Sequence, residues 1–345
     1  MLRASYAVRR RPFTSLVVSS GTGLLAYGAY LEHGSINAEH AYNNGEEDAS
    51  SRATLPRVYD WHALTEFWAN RPLSTAQRFG QISYHLFPRA VAYIRDRYVF
   101  NTLLTDSVVQ QQHAAHLREA LTRLGPAFVK AGQQLSIRPD LVPPIVLKEL
   151  QKLCDTVEPI EDAVALQVIR DELGIVDLDA VFGNLQMVAS ASLGQVYKGK
   201  LKTTGTEVAV KVQRPDMRRV FSLDLYLLQH IGVVVDIFTS TFTNQPPFHK
   251  PLHESFASGS YSELDYEQEA ANQIRFKREL AERRVPVVIP LVYVDYTTEK
   301  VLTTQWIDGV KLADSPKERI RQLIPVGVEL FLTQLLDIGA FHAGM

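Results

Sequence analysis

Two short runs near the middle of the chain, residues 192–201 and 208–212, alternate apolar and polar residues with a period of two, and Thr204-Gly205 lies between them. Period two sends successive side chains to opposite faces of a strand, and the Thr-Gly pair supplies the reversal, so this segment predicts a β-hairpin with one buried face. A lone hairpin is marginal in water and needs helices or further strands over that face. Residues 285–294 and 301–306 read as two more strands, and 217–239 and 253–282, between the hairpin and these, read as long helices. Helices first, then a sheet interrupted by helices, predict an α+β architecture rather than a parallel doubly wound one.

Upstream the spacing is helical. Leu64, Phe67, Trp68, Phe79, Ile82, Leu86 and Val91 recur at three- or four-residue steps, which predicts amphipathic helices broken near Pro72 and Pro88. Their apolar faces suit either a protein core or a membrane surface. Helical spacing continues through 113–152, with a break at Gly125-Pro126 and a loop around 138–144, and 160–173 reads as a helix stopped by Gly174. Residues 37–56 are polar and aperiodic, a linker. Ahead of it Arg3, Arg9, Arg10 and Arg11 lie among Ser and Ala, with no acidic residue before Glu32. That is the composition of an organelle-targeting segment, for a mitochondrion or, alternatively, a plastid. The apolar stretch 15–31 is at the short end of what spans a bilayer. The expected organisation is therefore targeting segment 1–31, linker 32–56, amphipathic helices 57–100, helical extension 101–185, sheet-bearing unit 186–310 and a final helical part 311–345.

Charge and cysteine content exclude some functions. With 36 basic against 38 acidic residues the net charge is -2, too balanced for a nucleic-acid partner. Cys154 is the only cysteine, so an internal disulfide framework and a multi-cysteine zinc site are both excluded, and the sequence offers no metal site.

The hairpin carries the chemistry. Ala189, Ser190, Ala191, Ser192, Leu193, Gly194, Gln195 and Val196 form a run of mostly small residues leading into the first predicted strand, and Lys211 lies on the second in Val208-Ala209-Val210-Lys211. Small residues let backbone N–H groups approach phosphate oxygens, and a strand lysine reaches the same phosphates as a point charge. The alternative is a solvated lysine guarding an edge strand. A lysine drawn out of water needs a carboxylate partner. Glu269 is the candidate, on a predicted helix where Asp265, Glu269 and Asn272 share a face; an ordinary acidic solvent face is the alternative. Further upstream Lys130 and Gln133 share one helical face, with Gly132 between them allowing close approach of a backbone or ligand.

These segments together resemble the UbiB-type atypical kinases. Arg123 to Gln134, followed by Arg138-Pro139-Asp140-Leu141-Val142-Pro143, resembles the Lys-x-Gly-Gln segment of that family. Ala189 to Val196 resembles its alanine-rich loop, Val208 to Pro215 its lysine strand, Glu263-Leu264-Asp265 its Glu-x-Asp motif, and Glu269-Ala270 with Asn272 the rest of its αC signature. The resemblance, which runs from about Tyr59 to Ala343, implies a protein-kinase-like N-lobe, a helical extension that covers the active site, and an incomplete helical C-lobe. It implies binding of ATP or ADP, with magnesium in the full-length family, and a role in isoprenoid quinone or lipid homeostasis at an organelle membrane. Lys130, Gly132 and Gln133 would belong to the cover, with Lys130 engaging Glu263 or Asp265. The segment 61–73 leans toward the cyanobacterial and plastid branch.

Three departures from the pattern stand out. Ser190 replaces the usual alanine and would place a hydroxyl beside the phosphates. Gln305, in Thr304-Gln305-Trp306, replaces the usual hinge glutamate. Phe341-His342-Ala343 resembles the opening of the catalytic loop, but Gly344-Met345 follows where the catalytic aspartate and the asparagine metal ligand are expected. No catalytic residue is therefore expected in this chain. The expected helix 318–339 exposes Ile320, Leu323, Val326, Leu330, Phe331, Leu335 and Leu336, a surface for protein partners. The alternative function is a catalytically inactive pseudokinase scaffold that binds partners or membrane.

Overall fold

A computed structural model describes residues 54–154, 158–242, 246–247, 249–310 and 312–340. The expected targeting segment, most of the expected linker, and His342 with the start of the expected catalytic loop lie outside the described residues. The chain divides into two compact units: one holds Asp60–Leu153 and Phe221–His253, the other Arg57–Tyr59, Cys154–Val220 and Glu254–Met345. The boundary at Leu153 differs from the expected one at 185, because the helix and edge strand that precede the hairpin pack with it.

The first unit is helical. It contains α1 (Trp61–Ala69), α2 (Pro72–Tyr98), α3 (Thr102–Thr105), α4 (Ser107–Leu124), α5 (Pro126–Leu135) and α6 (Pro144–Gln151), with most of the long helix α9 (Met217–Phe242). Asp60 caps α1, its carboxylate accepting the N–H groups of His62 and Ala63. Pro72 begins α2 at its first turn, as expected, but Pro88 does not end it. Proline removes one backbone donor, and the helix continues through that single loss to Tyr98.

Two buried ionic centres hold these helices. Asp224 on α9 is fully buried and takes a forked contact from Arg78 on α2 at 2.7 and 2.9 Å, while Arg78 also donates to the carbonyl of Leu124. Burial raises the Asp224 carboxyl above its ordinary range, and Arg78 only partly opposes it. The other centre is Glu149 on α6, which receives Lys152 at 2.5 Å, Gln111 at 2.5 Å and Arg118 at 3.2 Å. Lys152 first and then Arg118 hold its carboxyl below the usual range against the opposing effect of burial.

The second unit is built on a four-stranded antiparallel sheet, β1 (Phe182–Ser190), β2 (Gly194–Leu201), β3 (Glu207–Gln213) and β4 (Val301–Gln305), in that order. The expected hairpin is β2–β3, closed at Gly205 with φ of 70°, where its N–H donates to the carbonyl of Leu201 at 2.7 Å. One face, with Tyr197, Leu201, Val208, Val210, Val212 and Val301, buries itself against Ala165 and Ile169 of α7 (Asp162–Leu173). A short helix, α8 (Leu178–Val181), leads into β1. On the opposite face Leu302 packs with Tyr266 and Ala270 of α11 (Tyr266–Glu282), which follows α10 (His249–Ser262). The expected helix 253–282 is thus two helices, interrupted where Asp265 caps α11 by accepting the N–H of Gln268 at 3.1 Å.

Residues 285–294, expected as a strand, form no ladder. Pro286 and Pro290 lack the donors a strand needs, so pairing with β4 is confined to the bridge Val292–Thr304 and the bonds beside it. The C-terminal helix is α12 (Lys317–Leu332), continued by a π-helical turn Thr333–Ile338 and ended at Gly339, where φ is 66°. Leu330, expected to be exposed, packs with Ile338 on Phe276, Leu280 and Val285, and Ile320, Leu323 and Val326 are half-buried, whereas Phe331, Leu335 and Leu336 are exposed as expected.

The Arg78–Asp224 pair yields a stability prediction. Arg78→Met leaves a buried carboxylate without its partner and is expected to cost about 3–5 kcal/mol in urea unfolding. Arg78→Met with Asp224→Leu is expected to recover most of that loss; a double variant as unstable as the single one contradicts the assignment.

Candidate functional site

Lys211 and Glu269 are brought together as expected. The residue pairs Val196–Lys211 and Lys211–Leu302 align across β2, β3 and β4, which places Lys211 on the sheet face that receives α11. Its ammonium donates to both carboxylate oxygens of Glu269, at 2.9 and 2.7 Å, and lies 4.4 Å from the centre of the Tyr266 ring. The two side chains are 33% and 37% exposed, so screening limits the pair's contribution to stability to about 1 kcal/mol or less. Its position on the face therefore matters more than its strength.

Three contacts fix the start of α11 against the sheet, and with it Glu269. The Gln213 side chain donates to the carbonyl of Leu264 at 3.1 Å, and the N–H of Tyr266 donates to the carbonyl of Glu299 at 3.0 Å. The third is Arg57, whose guanidinium forks onto Asp265 at 2.7 and 3.0 Å and also contacts Glu267. Burial acts to raise the Asp265 carboxyl, but Arg57 and the N–H of Gln268 outweigh it and hold it below its usual range. Sequence reading missed Arg57, since nothing local marks a residue 208 positions from its partner.

The small-residue segment is a strand end plus a turn. Ala189 and Ser190 close β1, Ala191, Ser192 and Leu193 form the turn, and Gly194 opens β2. The turn is pinned by the N–H of Ala191 on the carbonyl of Gly194 at 2.8 Å. Gly194 is required: a Cβ there would overlap the carbonyl oxygen of Val212 and stand 2.9 Å from the Tyr266 hydroxyl. That hydroxyl is buried without a hydrogen-bond partner, and burial first, then Glu269, raises its pKa.

Two expected site residues have protein partners. The Ser190 hydroxyl oxygen accepts from Arg214 at 3.1 Å, which ties it to the guanidinium and leaves its own O–H to donate. Gln195 is fully buried on the α7 face of the sheet; its carbonyl accepts the N–H of Ile160 and its amide donates to the Tyr197 hydroxyl, which donates to Asp162 at 2.7 Å. Val196 is on the Lys211 face. Gln305, at the expected hinge, bonds back through its backbone N–H to the carbonyl of Leu291 at 2.7 Å.

The cover residues are described within the helical unit. Lys130 is 8% exposed on α5, and Glu263 is half-buried in the sheet unit. Gly132 allows close packing: a Cβ there would collide with the side chain of Leu153 and press on that of Leu121. Gln133 donates to the carbonyl of Leu153 at 2.9 Å. Among the described residues no group of three His, Cys, Asp or Glu side chains is placed to hold a metal ion. The carboxylate of Glu269 is already engaged by Lys211, so the described residues do not fit a magnesium site.

A four-stranded antiparallel sheet, a strand lysine forked onto a glutamate of the helix α11 that packs on the sheet, and a tight small-residue turn define a protein-kinase-like unit. Residues 152–345 match the ABC1 atypical kinase-like domain, and the chain belongs to that family. It is 41% identical over 240 residues to the chloroplastic protein Activity of BC1 complex kinase 3 of Arabidopsis thaliana, covering 68% of this chain and 33% of the relative. An uncharacterised protein of Synechocystis is 37% identical over 298 residues, 84% of this chain and 42% of the relative. The probable protein kinase UbiB of Tolumonas auensis is 33% identical over 267 residues, 75% of this chain and 46% of the relative. The chain thus spans less than half the length of these relatives.

Because the Asp265 carboxyl is held low, its contact with Arg57 stabilises the fold above the ordinary carboxylate range, and this is lost as pH falls through the depressed value. Arg57→Ala is accordingly expected to destabilise the protein more at pH 7 than near pH 2. Equal destabilisation at both pH values in parallel thermal melts contradicts this role.

Proposed function

We propose that the sheet unit binds ATP or ADP, with the phosphates against the turn Ala191–Gly194 and beside Lys211, and that Glu269 holds Lys211 there. The observation that carries this reading is the forked Lys211–Glu269 pair on a half-open sheet face, a cation kept aligned but accessible. Magnesium is expected to accompany the phosphates, with ligands other than the described residues.

The wider role proposed is that of an atypical kinase or ATPase in isoprenoid quinone or lipid homeostasis at an organelle membrane. Chloroplastic names among the Arabidopsis relatives favour a plastid over a mitochondrion. One described helix, Met217–Thr241, is long and apolar enough to cross a membrane. Its buried Asp224, paired with Arg78, suits a place in the helical core instead. A second reading, a scaffold without catalysis, draws support from the exposed Phe331, Leu335 and Leu336.

Nucleotide at about ten times its Kd is expected to raise the melting temperature by roughly 2 °C or more. Lys211→Ala, which removes only a weak exposed pair, is expected to fold and to abolish the shift. An identical shift in the variant removes Lys211 from the site, and no shift in the wild type removes the nucleotide.

A further inference from the structure

Arg214 follows β3, three positions beyond Lys211, and returns to the turn that opens β2. Its guanidinium donates to the carbonyl of Ala191 at 3.2 and 3.3 Å, to the Ser190 hydroxyl at 3.1 Å and to the carbonyl of Glu158 at 2.6 Å. Its own backbone N–H donates to the carbonyl of Leu193 at 2.9 Å. The carbonyl of Gly194 is taken by the N–H of Ala191. The carbonyls of Ala191, Leu193 and Gly194 are therefore all satisfied by protein donors. The N–H groups of Ser192 and Leu193 have no acceptor among the described residues, although both residues are nearly buried. Backbone N–H groups in such surroundings ordinarily find a partner.

We infer that Arg214 is a positioning residue for nucleotide phosphate: it holds the turn's carbonyls away so that the N–H groups of Ser192 and Leu193 are left for phosphate oxygens. This rests on the nucleotide reading above. A carbonyl turned toward a phosphate repels it, whereas an N–H attracts it, so the same turn with its peptides flipped would oppose the ligand. Burial lowers the Arg214 pKa, in keeping with a guanidinium spent on protein carbonyls rather than on solvent. Ser190 contributes by accepting from this guanidinium.

The test compares the 345-residue chain with Arg214→Ala and Arg214→Lys, titrating adenosine, ADP and ATP by calorimetry. Amide exchange along 190–201 is followed without nucleotide. Arg214→Ala is expected to weaken ADP and ATP by about tenfold or more while leaving adenosine unchanged, since the turn serves the phosphates alone. Exchange is expected to speed up at Ala191 and not along β2 from Val196. Guanidinium ion at millimolar concentration is expected to restore part of the ATP affinity of Arg214→Ala, and Arg214→Lys to fall between. If all three ligands weaken equally, or if ADP and ATP bind as in the wild type, the positioning role is overturned. A wild type that binds none of the three overturns the nucleotide reading itself, and the phosphate role of Arg214 with it.

Discussion

The forked contact between Lys211 and Glu269 depends on two elements being held at one distance, and much of the sheet unit serves that end. β3 must present Lys211 on the face away from α7, which the alternation of Val208, Val210 and Val212 into the core ensures. A slip of one residue would bury the lysine and expose three valines. α11 must start at the right height, and the buried amide of Gln213, the pairing of Tyr266 with Glu299, and Arg57 on Asp265 set it. Tyr266 then does two jobs, anchoring α11 against Leu302 and placing its ring beneath the ammonium.

The turn between β1 and β2 is held by a comparable economy of parts. Gly194 lets the turn approach Val212 and Tyr266, and Arg214 ties its carbonyls from the far end of β3. Lysine and arginine divide the work according to their chemistry. The compact ammonium of Lys211 stays partly in solvent beside a single carboxylate, while the planar guanidinium of Arg214 spreads over several oxygens that a lysine could not reach at once.

How much could be read from the sequence follows the same division between local and distant interactions. β2, β3 and the Gly205 reversal were legible because alternation and turn chemistry are local. β1 was not: it is an edge strand, mostly exposed, with irregular register around Gly183–Gln186 and Met187–Ala189 and a positive φ at Asn184, so it lacks a clean period. Residues 285–294 misled because their valines and isoleucine suit a strand while two prolines deny it the donors. Pro88 misled in the opposite sense, since a helix continues through it. The pairing of Lys211 with Glu269 was legible only by joining a strand motif to a helix motif 58 residues apart. Arg57 and Arg214 carried no such signal, because a guanidinium's partners are set by tertiary structure; Gln195 was placed in the right segment, but its complete burial on the α7 face was not legible there.

An acyl-phosphate derivative of ATP measures the central claim directly, because its terminal phosphate passes an acyl group to whichever amine sits beside it, forming an amide and releasing ATP. Peptide mapping by mass spectrometry is predicted to find the acyl group on Lys211 and to find it suppressed by excess ATP. Modification confined to exposed lysines such as Lys202, or modification of Lys211 that excess ATP leaves unchanged, would contradict the placement of nucleotide phosphates beside the Lys211–Glu269 pair.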